Sequence, residues 1–363
     1  MSGENNSNES LVRNIGTTVN NKATHRENST LSKASSTMTI REALVEASSF
    51  LASMGVSDGR VDAELLMQHM LDWNRSRLLL ELSELFPGKY TEEWLELLRR
   101  RGAGEPVQYM LGEQEFYGRP FEVNPAVLIP RPETELLVEA IMKHGREIWA
   151  DGGGRRTEDV GENTVLKMNQ FNHAEDHDHD TTKNPPGKFD AQGPLVVDIG
   201  TGSGAITVSL AVFNPSWRFG ACDLSPSALA VAARNAVKHS VGDRIAFYQG
   251  DLLEPAIKQG LLIDILVSNP PYIPSPDIPG LQREVREHEP MLALDGGEDG
   301  LYCYRTLLEQ MQLLPIIPRL VGFEVGFGQA RDVAAMMERC GWWESVEIVK
   351  DYAGIERHVI GWR

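Results

Sequence analysis

The chain has 363 residues, 41% hydrophobic and 24% charged, which is enough apolar material for one or two folded domains and too much for a wholly disordered or fibrous chain. The 35 Lys and Arg against 52 Asp and Glu give a formal net charge of -17, so the chain as a whole lacks the basic footprint of a phosphate-backbone binder. Its 3 cysteines, Cys222, Cys303 and Cys340, form no C-x-x-C pair; this excludes a disulfide scaffold or a thiolate zinc site and points to packing residues in a reducing compartment, the cytoplasm by default.

Residues 1–37 are rich in Asn, Ser and Thr, lack the apolar stretch of a secretory signal, and read as a disordered tail. Nothing along the chain approaches the roughly 20 apolar residues of a membrane helix; the run at 261–267 is strand-sized and interrupted by Asp264. Order is expected from Met38, where Thr39 and Glu42 have capping-box spacing and Ile40, Ala43, Leu44, Ala47, Phe50 and Leu51 recur with helical period. A second helix follows Ser57 and Asp58. Further helical patterns cover about 74–82 and 91–101, the latter with Thr91 as N-cap, Glu92 and Glu93 in its first turn and Arg99 to Arg101 at its end. Together they predict a small helical domain over 38–110.

At Glu113 the pattern changes to two short β segments, EFYG and PFEV, with a turn at Gly118 to Pro120, predicting a hairpin that links two domains over 111–130. Pro132 at a first helical position, with Glu133 and Glu135 in the first turn, then opens a helix to about His144. From about 151 to 193 Gly, Asp, His and Pro cluster without period, which predicts a disordered insertion. Within it His173, His177 and His179 alternate with acids, but no rigid support for a metal is in sight, and no metal is expected.

From Leu195 strands and helices alternate: LVVDI, a helix from about Ala205, WRFGACD, a helix from Pro226, RIAFYQGD, LLIDILVSN, a helix at about 300–313, RLVGFEV, a helix at about 329–340, then SVEIVK and HVIGW. This is the pattern of a doubly wound α/β sheet. Residues 351–357 between the last two strands are too few for a crossover helix, so the final strand should run antiparallel to its neighbours.

The first of these strands runs into Asp198-Ile199-Gly200-Thr201-Gly202-Ser203-Gly204 and then directly into a helix. Glycines there let the backbone turn sharply and bring its N–H groups close to a ligand. The spacing is G-x-G-x-G, not the G-x-G-x-x-G of dinucleotide sites, and a glycine-rich turn alone is also a plain strand-to-helix connection. The next strand ends in Asp223, where a carboxylate can accept both hydroxyls of a ribose, or merely favour the helix that Ser225 and Pro226 begin. The third strand ends at Asp251 and Leu252, placed to take an adenine amino group and cover its ring. An adenosine ligand without a phosphate requirement suits this set, and the pattern resembles the cofactor site of class I S-adenosylmethionine-dependent methyltransferases, whose Rossmann-like sheet has seven strands with an antiparallel last one. A nicotinamide dehydrogenase shares the sheet; the fourth strand separates the two.

That strand ends in Asn269-Pro270-Pro271-Tyr272. Proline after Asn269 favours extended backbone there, and neither proline has an N–H, so the turn presents carbonyl acceptors without competing donors. If the Asn269 side-chain oxygen and the Pro270 carbonyl accept the two N–H bonds of a planar amide or amine, its nitrogen is aimed at an activated methyl group. Tyr272 would wall that planar group, or simply pack. Such turns occur both in enzymes that methylate exocyclic base amines and in those that methylate glutamine amides.

The rest of the chain discriminates between them. GEPVQYMLGEQEFYGRPFEV, LIPRPETELLVE, DIGTGSGAI, SNPPYIP and EPMLALDGGEDGL, in this order behind a small helical domain, closely resemble the PrmC/HemK family of release-factor glutamine N5-methyltransferases over about 38–144 and 194–363. The resemblance implies N5-methylation, from S-adenosylmethionine, of the glutamine in the Gly-Gly-Gln loop of class I peptide chain release factors. It further implies that the Asn269–Tyr272 turn binds the glutamine amide, that Glu133 and Thr134 shape the pocket, and that Gly200 to Gly204, Asp223, Leu252 and Asn269 hold the cofactor. The tail before Met38 and the insertion have no counterpart in the family pattern, and Leu252 stands where an aromatic would cover adenine more fully. A nucleic-acid amine methyltransferase would need a basic groove, and the acidic total opposes one; a non-catalytic adenosine-binding or translation-binding module would not need Asn269 or the glycines.

Overall fold

The structure, a computed structural model, describes residues 38–149 and 193–363. The tail over 1–37 and all but the last residue of the 151–193 segment, with its three histidines, lie outside the described residues. Two compact units divide between Leu111 and Gly112.

The smaller unit is built from α1 (Ile40–Ser53), α2 (Gly59–Leu71), α3 (Arg75–Leu80), α4 (Thr91–Gly102) and α5 (Val107–Leu111). The expected capping box is formed at the first helix: Thr39 accepts the Glu42 N–H and Glu42 accepts the Thr39 N–H. Its apolar stripe buries Ile40, Ala43, Ala47 and Leu51 against Leu66, Met67 and Leu98. One local expectation fails at α4 and another, the basic helix end, holds with an addition. Thr91 lies inside the helix, with Tyr90 as N-cap and no side-chain cap bond, because a single 3-10 turn at Gly88–Tyr90 leads straight into it. Arg101 does not simply trail the helix end in solvent; it is 5% exposed and donates to Asp62 at 2.7 Å.

In the larger unit the hairpin strands β1 (Glu113–Phe116) and β2 (Arg119–Glu122) are joined by Tyr117 and Gly118, both at positive φ, so Arg119 and Pro120 are strand rather than turn. A two-residue loop with both residues left-handed matches the twist of the strands, and Tyr117 is held in it by its N–H donating to Glu135 at 2.7 Å. Phe116 and Phe121 are buried in the main core, which makes the hairpin part of this unit. The helix α6 (Glu133–Trp149) follows and runs five residues past His144.

The sheet contains β3 (Leu195–Ile199), β4 (Arg218–Asp223), β5 (Ile245–Gln249), β6 (Ile265–Ser268), β7 (Leu320–Glu324), β8 (Ser345–Lys350) and β9 (Glu356–Trp362), in the spatial order β5-β4-β3-β6-β7-β9-β8. The first five strands are parallel, and β9 is antiparallel to both of its neighbours, as the short link requires. Alternate strand residues enter opposite cores. Val196, Ile265, Val267, Leu320 and Ile360 face α6, α7 (Ala205–Phe213) and α8 (Pro226–Lys238). Val197, Leu266, Val321 and Val359 face α9 (Glu254–Lys258), α11 (Tyr302–Met311) and α12 (Ala330–Cys340), with α10 (Arg283–His288) between the first two in sequence. Both faces are covered, which is why these strands read as continuous apolar runs. Among the described residues no helix is long and apolar enough to cross a membrane.

Candidate functional site

The strand order reverses at β3, with β4 on one side and β6 on the other, so loops leaving the carboxyl ends of β3 and β6 diverge and open a crevice there. A cavity of about 290 Å³ occupies it. Among its lining residues are Gly200 to Ser203, Asp223, Asp251, Leu252, Asn269, Pro271 and Thr134, so the structure brings most of the sequence candidates to one place. Gly204, Pro270, Tyr272 and Glu133 are not among the lining residues.

All three glycines of the first turn have positive φ. The turn is pinned from below by Cys222, whose carbonyl accepts the Gly200 and Thr201 N–H groups at 2.9 and 3.0 Å. Gly204 caps α7 at φ 80°, and a Cβ there would lie 3.1 Å from the Ala232 Cβ on α8. Gly202 has open space instead, with nothing within 4 Å of a Cβ. Asp223 is tied to the same turn: its Oδ2 accepts the Gly202 N–H and its Oδ1 the Ser225 N–H, each at 2.9 Å. Burial pushes its carboxyl above the usual range, and the Ser225 and Gly202 N–H groups pull it back. Each oxygen retains acceptor capacity beyond its one backbone bond. Leu252 sits at φ 47°, a left-handed position unusual for a γ-branched side chain, and Asp251 beside it is exposed.

Asp198 escapes a reading based on the glycines alone. It is 1% exposed, and its Oδ2 accepts from Thr201 and Thr207 hydroxyls, both at 2.7 Å, while Oδ1 has no partner. Burial pushes its carboxyl up to about 6. It buttresses the turn from within the core. Asn235 does so from another side: its amide donates to the Ser203 carbonyl at 2.8 Å and to the Glu122 carbonyl at 3.0 Å, joining the hairpin to the turn.

At the end of β6, Asn269 Nδ2 lies 3.3 Å from Thr134 Oγ1, and Thr134 donates to Glu324 Oε2 at 2.6 Å. The Tyr272 carbonyl accepts from Gln329 at 2.9 Å, and Gln329 in turn accepts the Gly326 N–H at 2.9 Å. Burial pushes the Tyr272 phenol up to about 12. The residues around DGGEDG have a backbone role that motif reading did not provide. Gly296 N–H donates to the Ile273 carbonyl at 2.8 Å, and a Cβ on Gly296 would lie 2.8 Å from the Tyr272 Cα, so only glycine lets that segment press on the turn. Glu289, 6% exposed, holds the Ile129 N–H and Arg131, which fastens the segment before α6 to the 290 region at the cavity rim. Cys222 and Cys303 line the cavity as thiols, since burial pushes them up to about 12 and about 11.

A family model for the PrmC N-terminal domain matches residues 42–112, and one for the methyltransferase small domain matches residues 187–278. The chain is 38% identical over 328 residues to the release factor glutamine methyltransferase of Moorella thermoacetica, covering 90% of this chain and 99% of that one. With the release factor glutamine methyltransferase of Bacillus subtilis it shares 37% identity over 321 residues, 88% of this chain and 96% of the other. Among solved structures, the hMettl16 catalytic domain in complex with MAT2A 3'UTR hairpin 6 is 14% identical, covers 70% of this chain and 80% of that one, and has a TM-score of 0.44.

Proposed function

The chain belongs to the release factor glutamine methyltransferases, and from that premise we propose that it transfers a methyl group from S-adenosylmethionine to the side-chain N5 of the Gly-Gly-Gln glutamine in class I peptide chain release factors. One observation carries the reading: the acceptor turn after β6 and the glycine turn after β3 line the same cavity. The residues fit the cofactor. Asp223 offers carboxylate acceptors to ribose hydroxyls, Leu252 an apolar cover with Asp251 beside it for adenine, and the open backbone at Gly200 and Gly202 a close approach for the rest. When bound, S-adenosylmethionine supplies a methyl group made electrophilic by its sulfonium.

The remaining work falls to the chain. Asn269 Oδ1 and the Pro270 carbonyl accept the two amide N–H bonds of the glutamine, orienting its nitrogen and raising its electron density. Tyr272, Glu133 and Thr134 confine the planar group. The nitrogen becomes acidic once methylated and releases its proton to water, so a strong general base is not required. Orientation carries the rate.

The test supplies methyl-labelled S-adenosylmethionine with a release factor, with the same factor carrying alanine for the Gly-Gly-Gln glutamine, and with nucleic acid. Label in the unaltered factor alone is expected; label in nucleic acid overturns the reading. Asn269→Ala should leave cofactor affinity within a few-fold and cut turnover by about 100-fold or more. Asp223→Ala should chiefly weaken cofactor binding, and unchanged affinity would remove Asp223 from the cofactor site.

A further inference from the structure

A side-chain amide presents an acceptor on one edge and a donor on the other, so Asn269 serves the proposed reaction in only one of its two flips. The buried neighbours decide which. Glu324 ends β7 and is 2% exposed; its backbone carbonyl is held by the Tyr304 hydroxyl at 2.7 Å and its residue pairs with His358 on β9. Thr134, 4% exposed in the first turn of α6, lies between the Glu324 carboxylate at 2.6 Å and Asn269 Nδ2 at 3.3 Å. A hydroxyl has a single proton to give. Thr134 donates that proton to Glu324 Oε2, so its oxygen is left as an acceptor toward Asn269. The edge of Asn269 that meets Thr134 must then be Nδ2. Flipping the amide would set Oδ1 against a hydroxyl oxygen with no proton between them.

We infer that Glu324, acting through Thr134, is a positioning residue for Asn269: the chain of the three side chains fixes the amide with Oδ1 on the edge left for the substrate N–H. The inference rests on the reading of Asn269 as the amide acceptor given above. Neither Glu324 nor its contact with Thr134 is visible in any sequence motif, since 190 residues separate the two.

Thr134→Val removes the hydroxyl at almost constant shape, and is expected to lower kcat by about 10- to 100-fold, the loss of a buried hydrogen bond whose partner is left unsatisfied. Affinity for S-adenosylhomocysteine should change by less than about threefold, because the cofactor residues are untouched. Thr134→Ser restores the hydroxyl and should recover most of the rate. A readout independent of turnover is the Asn269 side-chain amide in protein labelled with 15N-asparagine, identified by its disappearance in Asn269→Ala. Its resonance should move in Thr134→Val and return in Thr134→Ser. Should Thr134→Val give no cooperative melt, Glu324→Leu, which removes the acceptor of the Thr134 proton, decides, with the same resonance shift and a lower kcat at unchanged cofactor affinity. A kcat within twofold of the unaltered enzyme, or an Asn269 amide indifferent to these changes, overturns the inference. If the unaltered enzyme labels no release factor, the proposed function fails, and the amide resonance still judges the relay by itself.

Discussion

Asp198 carries a charge in the least favourable place for one, and replacing it with asparagine exposes the cost. The side chain is 1% exposed, two threonine hydroxyls satisfy Oδ2, and Oδ1 has no partner. Burial raises the folded carboxyl from 3.8 to about 6. Between those values the folded protein binds more proton than the unfolded chain. Stability from this group is therefore greatest below the unfolded value and falls as pH rises through the folded one. The interval corresponds to about 3 kcal/mol at most. Asp198→Asn keeps an oxygen for Thr201 and Thr207 and never ionises, so it lacks that slope. In urea melts from pH 4 to 8, the unfolding free energy of Asp198→Asn minus that of the unaltered protein should climb by about 2–3 kcal/mol up to near pH 7 and then level off. Groups remote from position 198 titrate alike in both proteins and cancel from the difference, which reports Asp198 together with its coupling to Asp223 and Cys222. Parallel profiles across the range would refute the buried-charge account.

Gly204→Ala should destabilise by about 2–4 kcal/mol, from left-handed strain plus the 3.1 Å approach to Ala232, whereas Gly202→Ala, with open space around its Cβ, should lose only about 1–2 kcal/mol. Equal losses in paired urea melts would remove the packing role given to Gly204. Arg131→Met keeps the side-chain length but strips a buried carboxylate of its cation, since Glu289 is 6% exposed; a loss of about 3 kcal/mol is expected. An unmoved urea midpoint would mean that water satisfies Glu289.

What the sequence reveals and what it hides divide along a physical line. The strands and the longer helices of the larger unit were legible because period and punctuation are local, and the reversed last strand because residues 351–357 are too short to cross the sheet, whereas α9 and α10, of 5 and 6 residues, are too short to show a helical period. The glycine turn and the Asn269–Tyr272 turn were legible as runs of adjacent residues. Hidden were the groups that hold those runs in place. Gln329 reaches the Tyr272 carbonyl from 57 residues away, Glu289 reaches Arg131 from 158, and Asn235 reaches the Glu122 backbone from 113. Such bonds carry no periodicity. Arg101 shows the same failure in reverse, since a local charge pattern explains a basic helix end and gives no hint of Asp62 waiting 39 residues upstream.

Strand register is what turns these separate runs into one site. Ser268 on β6 lies opposite Phe323 on β7, so the next residues along, Asn269 just past β6 and Glu324 at the end of β7, come side by side. A slip of one residue would offer Phe323 or Val325 in place of the carboxylate, and each is 0% exposed in its present seat. Because a one-residue slip reverses every side chain of a strand, moving β7 would bring Val321 out of one core and Leu320 out of the other. The two apolar cores thus enforce the register that delivers Glu324 to Thr134, and packing far from the cavity determines which edge of the Asn269 amide is left for substrate.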